Sequence, residues 1–304
     1  MNLHAQSCGL AVPANSFVGH VHSIFKSALN IKPHTGSLIT ILAASHANQP
    51  RAIRVPVHGG FQFDQHGISV GDPVASRAGI LRFSHSALAI DLRSTVIWYS
   101  QLKSFRVDLN NELSRAAWLS TIGMALDHSA ASPGIADTAF AVLDERDFLT
   151  LSPLKMRSFQ AINDLKHATQ NRHVAIALDA ASSLVGLGPG LTPAGDDFLA
   201  GYITGLWATT PIHDSLSCFM EPFLKGLAPH FARTTDISAA FLSDAVNQSP
   251  SQTTADLIRA IAEGQSAAMV ERAAKAALNV GSTSGADSIA GLLLGLATPA
   301  GIST

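Results

Sequence analysis

The sequence predicts an α+β protein: a β-rich, barrel-like domain with a leading helix over residues 1–105, then an all-helical domain over 106–304. Three observations carry this. Short β-branched runs punctuated by Gly, Pro, Asp and Ser clusters fill residues 37–105, the texture of an antiparallel sheet or small barrel. Beyond residue 110 apolar residues recur at helical spacing. One glycine–aspartate pattern occurs twice in that second part: Gly195-x-Asp197-x3-Gly201-x3-Gly205 returns as Gly285-x-Asp287-x3-Gly291-x3-Gly295, 90 residues later.

Composition narrows the function classes. A chain of 304 residues is long enough for two domains, and 47% apolar residues support a sizeable core. Charged residues are only 14%, below the usual quarter or so, which fits either a large Ala-rich helical core or surface kept for partner subunits. Net charge is -2 and no basic block or basic–aromatic stripe appears, so nucleic acid is not an expected partner. Cys8 and Cys218 form neither a CxxC motif nor a disulfide framework, and a reducing, cytoplasmic location is expected. Residues 1–13 lack the basic-then-apolar pattern of a signal peptide. The longest apolar stretch, 289–302, is too short and too rich in Gly and Pro to cross a bilayer, so no membrane is expected.

In chain order, Asn15 or Ser16 can cap a short helix in which Phe17, Val21, Ile24, Phe25 and Ala28 follow helical spacing. His20 and His22 would diverge on such a helix and are not read as metal ligands. Strands are expected at 38–42, 52–55, 67–70, 80–83, 88–90 and 95–99, with turns at His58–Gly60 and Gly71–Pro73. Asn110 is read as the cap of a helix running through Leu126, with a loop over 127–134. Ser152 and Pro153 mark a helix start with proline in the first turn. Further helices are expected at 174–184, 216–227, 238–246, 255–262 and 266–278.

The two Gly–Asp segments carry the candidate chemistry. Gly188, Pro189 and Gly190 make a tight turn in which glycine lets the backbone take positive φ and approach a ligand. Thr192 before Pro193 reads as an N-cap with proline in the first helical position, and Thr283 or Ser284 caps the second copy before Gly285. In each helix Asp and two glycines share one face at i, i+4 and i+8. Four such glycines, each costing roughly 1 kcal/mol of helix propensity relative to Ala, imply that the two helices pack closely against each other or against equivalent neighbours. If the glycine faces meet, the two N-termini can converge on one anion-binding site, with Asp196, Asp197 and Asp287 beside it. Carboxylates beside an anion suit either Mg²⁺, held by Asp196 and Asp197, or an amide or amino group of a substrate. Ordinary capping and close packing account for either copy alone. They do not account for Gly188-Pro189-Gly190 joined to a double Asp.

A third candidate is Arg233, Thr234, Thr235 and Ser238, which gather hydroxyls and a guanidinium at a helix start. Arg233 could hold a carboxylate or phosphate by two parallel hydrogen bonds, or the group could simply cap a helix. No HExxH, GxSxG, Walker A or dinucleotide fingerprint is present.

Residues 188–197, Thr234 and Thr235 with Ser238, and 281–287 together resemble, in that order, the signatures of a bacterial domain-of-unknown-function family that includes the AllH subunit of oxamate carbamoyltransferase. The motif-bearing part spans about residues 180–296, and the front half is similar only in texture. Two positions depart from the family pattern: Ala194 stands where Ser is frequent, and Ser282 where His is frequent, so no hydroxyl or acid–base role is carried over to either. The resemblance implies purine breakdown through allantoin, and partner subunits that together convert oxalurate and phosphate to oxamate and carbamoyl phosphate. It further implies carbamoyl phosphate or a related small anion at Gly188, Gly190, Thr192, Gly195, Arg233, Thr234, Thr235, Ser238, Thr283, Ser284 and Gly285. Asp196, Asp197 and Asp287 are the expected catalytic residues. A stand-alone Mg²⁺-dependent phosphate or amide hydrolase, and a non-catalytic scaffold subunit, are the competing expectations.

Overall fold

The computed structural model describes residues 1–57, 61–129, 133–148, 150, 152–210 and 214–303. The turn expected at His58–Gly60 lies outside them. The chain divides into two compact units, Met1–Ser100 and Gln101–Thr304.

The first unit is one curled, half-barrel sheet. Its strands are β1 (Asn2–His4), β2 (Ser7–Gly9), β3 (Phe17–Ile24), β4 (Ala28–Pro33), β5 (Ile39–Ala43), β6 (Ala52–Val55), β7 (Pro73–Arg77), β8 (Ile80–Phe83), β9 (Ala89–Asp91) and β10 (Val96–Trp98). The spatial order is β1-β9-β8-β7-β3-β4-β5-β6-β2-β10. Only Ala5 and Gln6 separate β1 from β2, yet these strands lie near opposite ends of that order, so the sheet must curl. The N-terminal segment runs parallel to 89–98 throughout: Leu3 pairs with Ile90, and Cys8 with Ile97. Pairing is therefore mixed rather than purely antiparallel, β5 with β6 being a third parallel pair. Val21, Leu29, Ile31, Ile41, Ile53, Phe63, Leu81 and Ile90 are buried in its core.

The expected leading helix is absent: residues 17–24 form β3, paired to β4 and β7. The i, i+4 spacing of Phe17 and Val21 is two strand repeats as well as about one helical turn, so both periods fit. Tertiary pairing decides. A methyl group on Gly19 would stand 2.4 Å from the Lys32 carbonyl oxygen of β4. His20 and His22 therefore sit on a strand, beside an irregularity between Val21 and Ser23. Residues 67–70 are not a strand. They lead into the turn at Gly71–Pro73, where Asp72 accepts hydrogen bonds from Ser69 N–H (2.8 Å) and meets His85 Nδ1 (2.9 Å).

The second unit is helical: α1 (Glu112–Ser129), α2 (Ala136–Leu143), α3 (Pro153–Gln170), α4 (Val174–Leu184), α5 (Ala194–Thr209), α6 (Asp214–Leu227), a 3-10 turn (Ala228–Arg233), α7 (Asp236–Val246), α8 (Gln252–Ala262), α9 (Ala267–Leu278) and α10 (Ser284–Ala297). Asn111, not Asn110, caps α1, its Oδ1 accepting from Leu113 and Ser114 N–H at 3.0 and 3.1 Å. The helix runs on to Ser129, into the segment read as loop, and α2 follows unforeseen. Ser152 caps α3 with proline behind it, as its sequence requires.

Helices α5 and α10 are buried almost all round and form the centre of this unit, as expected of helices without a polar face. Among the described residues no helix is long and apolar enough to cross a membrane. The glycine ridges explain the pairing of α5 with α10. A methyl on Gly201 would stand 1.8 Å from the Ser288 carbonyl oxygen, and one on Gly205 2.5 Å from that of Leu292. Conversely, a methyl on Gly291 would stand 2.0 Å from the Phe198 carbonyl oxygen and one on Gly295 2.4 Å from that of Tyr202. Each glycine thus meets the carbonyl three residues before a glycine of the other helix. The contacts advance in the same direction along both helices, so the pair is parallel and related by a local pseudo-twofold axis.

Candidate functional site at the joined starts of two helices

Parallel packing brings both N-termini to one end. There Thr192 Oγ1 and Ser284 Oγ hydrogen-bond at 2.8 Å. The approach to each helix repeats as well. A methyl on Gly195 would stand 2.2 Å from the carbonyl oxygen of Leu184, the last residue of α4, and one on Gly285 2.3 Å from that of Leu278, the last residue of α9. The glycines are fixed by close approach to the end of the preceding helix.

The loop before α5 needs glycine for a second reason. Gly188 and Gly190 hold φ of +119° and +96°, a region that side chains rarely enter. Pro189, Gly190 and Leu191 are exposed, as are Gly281 and Ser282 before α10. The caps differ from the sequence reading. Pro193 precedes the first helical residue, and neither Pro193 nor Thr283 makes a side-chain cap bond. Thr192 turns its hydroxyl to Ser284 instead.

Several first-turn amides are already used. Gly195 N–H donates to the Leu187 carbonyl at 2.9 Å, and Asp196 and Asp197 N–H both donate to that of Pro193. On α10, Gly285 N–H donates to Val280 O at 2.8 Å and Asp287 N–H to Thr283 O at 3.1 Å.

The three aspartates have different surroundings. Asp196 accepts from Gly186 N–H at 2.8 Å and from the Thr234 hydroxyl. Burial raises its pKa, and the Thr234, Gly186 and Ser238 groups facing it pull the other way. Asp197 is 7% exposed, and burial pushes its pKa up to about 8, opposed by the Ser284 hydroxyl and reinforced by the charge of Asp287. Asp287 is fully buried. Its Oδ1 accepts from Ile135 N–H at 2.7 Å, so the start of α2 becomes a third helix N-terminus at this place. Burial raises Asp287 to about 7 against the Ile135 and Ala136 amides. A carboxylate in the first turn of a helix is ordinarily favoured by the helix dipole, but here loss of solvent outweighs that help. One oxygen each of Asp197 and Asp287, Oδ2 in both, is buried without a hydrogen-bond partner. Such atoms are costly unless something satisfies them.

The predicted residues thus fall into groups. Thr192, Asp197, Ser284 and Asp287 come together, and Thr283 and Gly285 lie beside them on the chain. Asp196 belongs to a neighbouring cluster with Thr234. Thr235 caps α7 through Ser238 N–H at 3.1 Å and donates its hydroxyl to the Leu191 carbonyl at 2.6 Å. Arg233 is exposed, its Nη1 3.3 Å from His230 Nδ1. Asp196 and Asp197 are adjacent in sequence but take their hydrogen bonds from different partners, Gly186 and Thr234 for the one and the Thr192–Ser284 hydroxyls for the other. Among the described residues no group of three or more His, Cys, Asp or Glu side chains could hold a metal ion. Sequence reasoning missed Gly134, Ile135 and Ala136. A methyl on Gly134 would stand 2.5 Å from the Asp287 carboxylate, and the Pro133-Gly134 pair before an apolar run was the available signal.

Comparison with known protein families gives two matches. The model described as "Oxamate carbamoyltransferase subunit AllH" covers residues 184–296, and that described as "AllH family N-terminal domain" covers residues 5–97. The chain belongs to the AllH family. The first match begins at Leu184, whose carbonyl meets Gly195, and ends in α10. The AllH match therefore covers both glycine-aspartate helices and the cluster between them, while the N-terminal match covers the sheet from β2 into β10. No solved structure matches the chain.

Proposed function

We propose that this protein is a subunit of a carbamoyl-transfer complex of the oxamate carbamoyltransferase type, and that it binds a phosphate-bearing ligand, carbamoyl phosphate or a related anion, where α5 and α10 begin. The reaction is the interconversion of oxalurate and phosphate with oxamate and carbamoyl phosphate, carried out with partner subunits. The single observation behind the site is the Thr192–Ser284 contact, which joins two helix starts and sets two buried, under-satisfied carboxyls beside them. The family's described role as a carbamoyltransferase subunit supports the reaction class.

In this reading the anionic end of the ligand lies by the exposed loops 188–191 and 281–283, where the positive ends of two parallel helix dipoles add. Asp197 and Asp287 touch the ligand, and Asp196 is a positioning residue that holds Thr234 and the Gly186 turn. No step is assigned to Mg²⁺. The test is reconstitution with the partner subunits. Asp197→Asn is expected to lower carbamoyl-transfer activity by at least about tenfold with the complex intact. Unchanged activity would remove the ligand role of this stretch.

A scaffold reading has one observation in its favour: helix–helix contact alone accounts for all four ridge glycines. It predicts that Thr192→Ala and Ser284→Ala change assembly or stability without changing ligand affinity.

A further inference from the structure

The joint between α5 and α10 is rich in acceptors and poor in donors. Its buried atoms without partners include Oδ2 of Asp197 and Oδ2 of Asp287, on residues 7% and 0% exposed. Of the first-turn amides, those of Gly195, Asp196, Asp197, Gly285 and Asp287 are bonded to backbone carbonyls. Thr192 and Ser284 bond to each other, and the hydroxyl hydrogen left over is directed at the Asp197 carboxyl. An oxyanion pushed to this depth would meet carboxyl oxygens. A group presenting two N–H donors and one carbonyl would meet matching partners.

We propose that Asp197 and Asp287 receive the –NH₂ of an unsubstituted carboxamide, so that the ligand enters amide end first with its anionic end outward at residues 188–191. This rests on the ligand site proposed above and specifies its chemistry. Oxamate and the carbamoyl group, both named in the family description, share the terminal –C(O)NH₂ unit. Once the –NH₂ donates to Asp197, the hydroxyl hydrogen now given to that carboxyl can turn to the amide carbonyl, an exchange that a metal ion or a bare ammonium would leave unused. The other charged groups facing this place are Asp196 on α5, and Asp137 and Lys155 near Asp287, the latter two paired with each other at 2.6 Å.

The orientation has a protonic signature. N–H donors favour the ionised form of a carboxyl, whereas a nearby anion favours the protonated form. At pH 7.5 an amide-down ligand should release protons on binding, and an anion-down ligand should take them up.

The test is titration calorimetry of the full chain, and of the chain with its partner subunits, in two buffers of different ionisation enthalpy. The ligands are carbamoyl phosphate, acetyl phosphate (methyl in place of –NH₂) and inorganic phosphate. Carbamoyl phosphate is expected to bind at least about tenfold tighter than acetyl phosphate, because a site built for N–H donors rejects an analogue that lacks them, and to release protons. In Asp197→Asn, checked for a melting temperature no lower than that of the unaltered chain, both the preference and the proton release should be lost. Equal binding of carbamoyl and acetyl phosphate, or proton uptake, overturns the amide-down orientation and leaves the ligand site standing. Binding of none of the three to chain or complex overturns both.

Discussion

Thr192 Oγ1 and Ser284 Oγ stand 2.8 Å apart across 92 residues of chain. The contact exists because α5 and α10 run parallel, and they can do so at this distance because glycine recurs every fourth residue on both facing ridges. Parallel helices place like dipole ends together, which is unfavourable unless negative groups sit there. The first turns of these two helices carry Asp196, Asp197 and Asp287. Packing and electrostatics thus meet at one end of the pair, the end proposed to bind ligand.

The ridge can be tested without any ligand. Gly201→Ala and Gly291→Ala each place a methyl at 2.0 Å or closer to a backbone oxygen of the other helix. Backbone cannot swing aside as a side-chain tip can, so the helices must separate. Each variant should lose about 2–3 kcal/mol or fail to fold, the upper range for overpacking. Gly123→Ala on α1 is the control: nothing lies within 4 Å of the added methyl, and helix propensity predicts a gain of about 0.5–1 kcal/mol. Chemical denaturation of the three variants checks both signs.

Asp196 and Asp197 should respond in opposite ways although they are neighbours. Asp196→Ala strands the Gly186 N–H and the Thr234 hydroxyl, and leaving buried donors unpaired costs about 1–3 kcal/mol. Asp197→Asn removes a buried carboxyl whose Oδ2 has no partner. At pH 8 its melting temperature should equal or exceed that of the unaltered chain, while ligand affinity falls. Stability and function separating in this way is what a ligand-binding carboxyl predicts.

The pH dependence of stability follows from the same residues. Asp197 and Asp287 have folded pKa values raised to about 8 and about 7, above the ordinary value of 3.8. Between about pH 4 and those values the folded chain binds more protons than the unfolded one, so stability falls as pH rises, by up to about 1.4 kcal/mol per pH unit for each group. The slope levels off above about pH 8. Carboxyls held low by partners, such as Asp72 and Glu145, act only below the ordinary carboxylate range and do not oppose it. Calorimetric melts of the ligand-free chain from pH 5 to 8.5 should show this decline, flattened in Asp197→Asn.

Much of the helical unit was legible because its signals are local. Ser152-Pro153, the glycine ridges and the residue-for-residue echo of two segments each point to one structure. The demand for close approach along both glycine ridges was readable, but not whether α5 and α10 would meet each other or equivalent neighbours. The sheet was harder. A spacing of four at Phe17 and Val21 satisfies both helix and strand, and only their cross-strand partners, Ser76 and Ile31, decide. Parallel pairing of β1 with β9 joins residues 87 positions apart, which no local pattern encodes. At the site, residue types announced the cluster but not its division. Sequence adjacency grouped Asp196 with Asp197, whereas their neighbours in space separate them. The α2 start that holds Asp287 had only Pro133-Gly134 to announce it, because the donors there are backbone amides of Ile135 and Ala136, which leave no side-chain signature.

The central claim is that the joined starts of α5 and α10 form a ligand site. A crystal structure of the chain soaked with carbamoyl phosphate tests it most directly. The account predicts ligand density within hydrogen-bond distance of Thr192 or Ser284 and of the Asp197 and Asp287 carboxyls. Density bound elsewhere, with the Thr192–Ser284 hydrogen bond and the unpartnered Oδ2 atoms untouched, would contradict it.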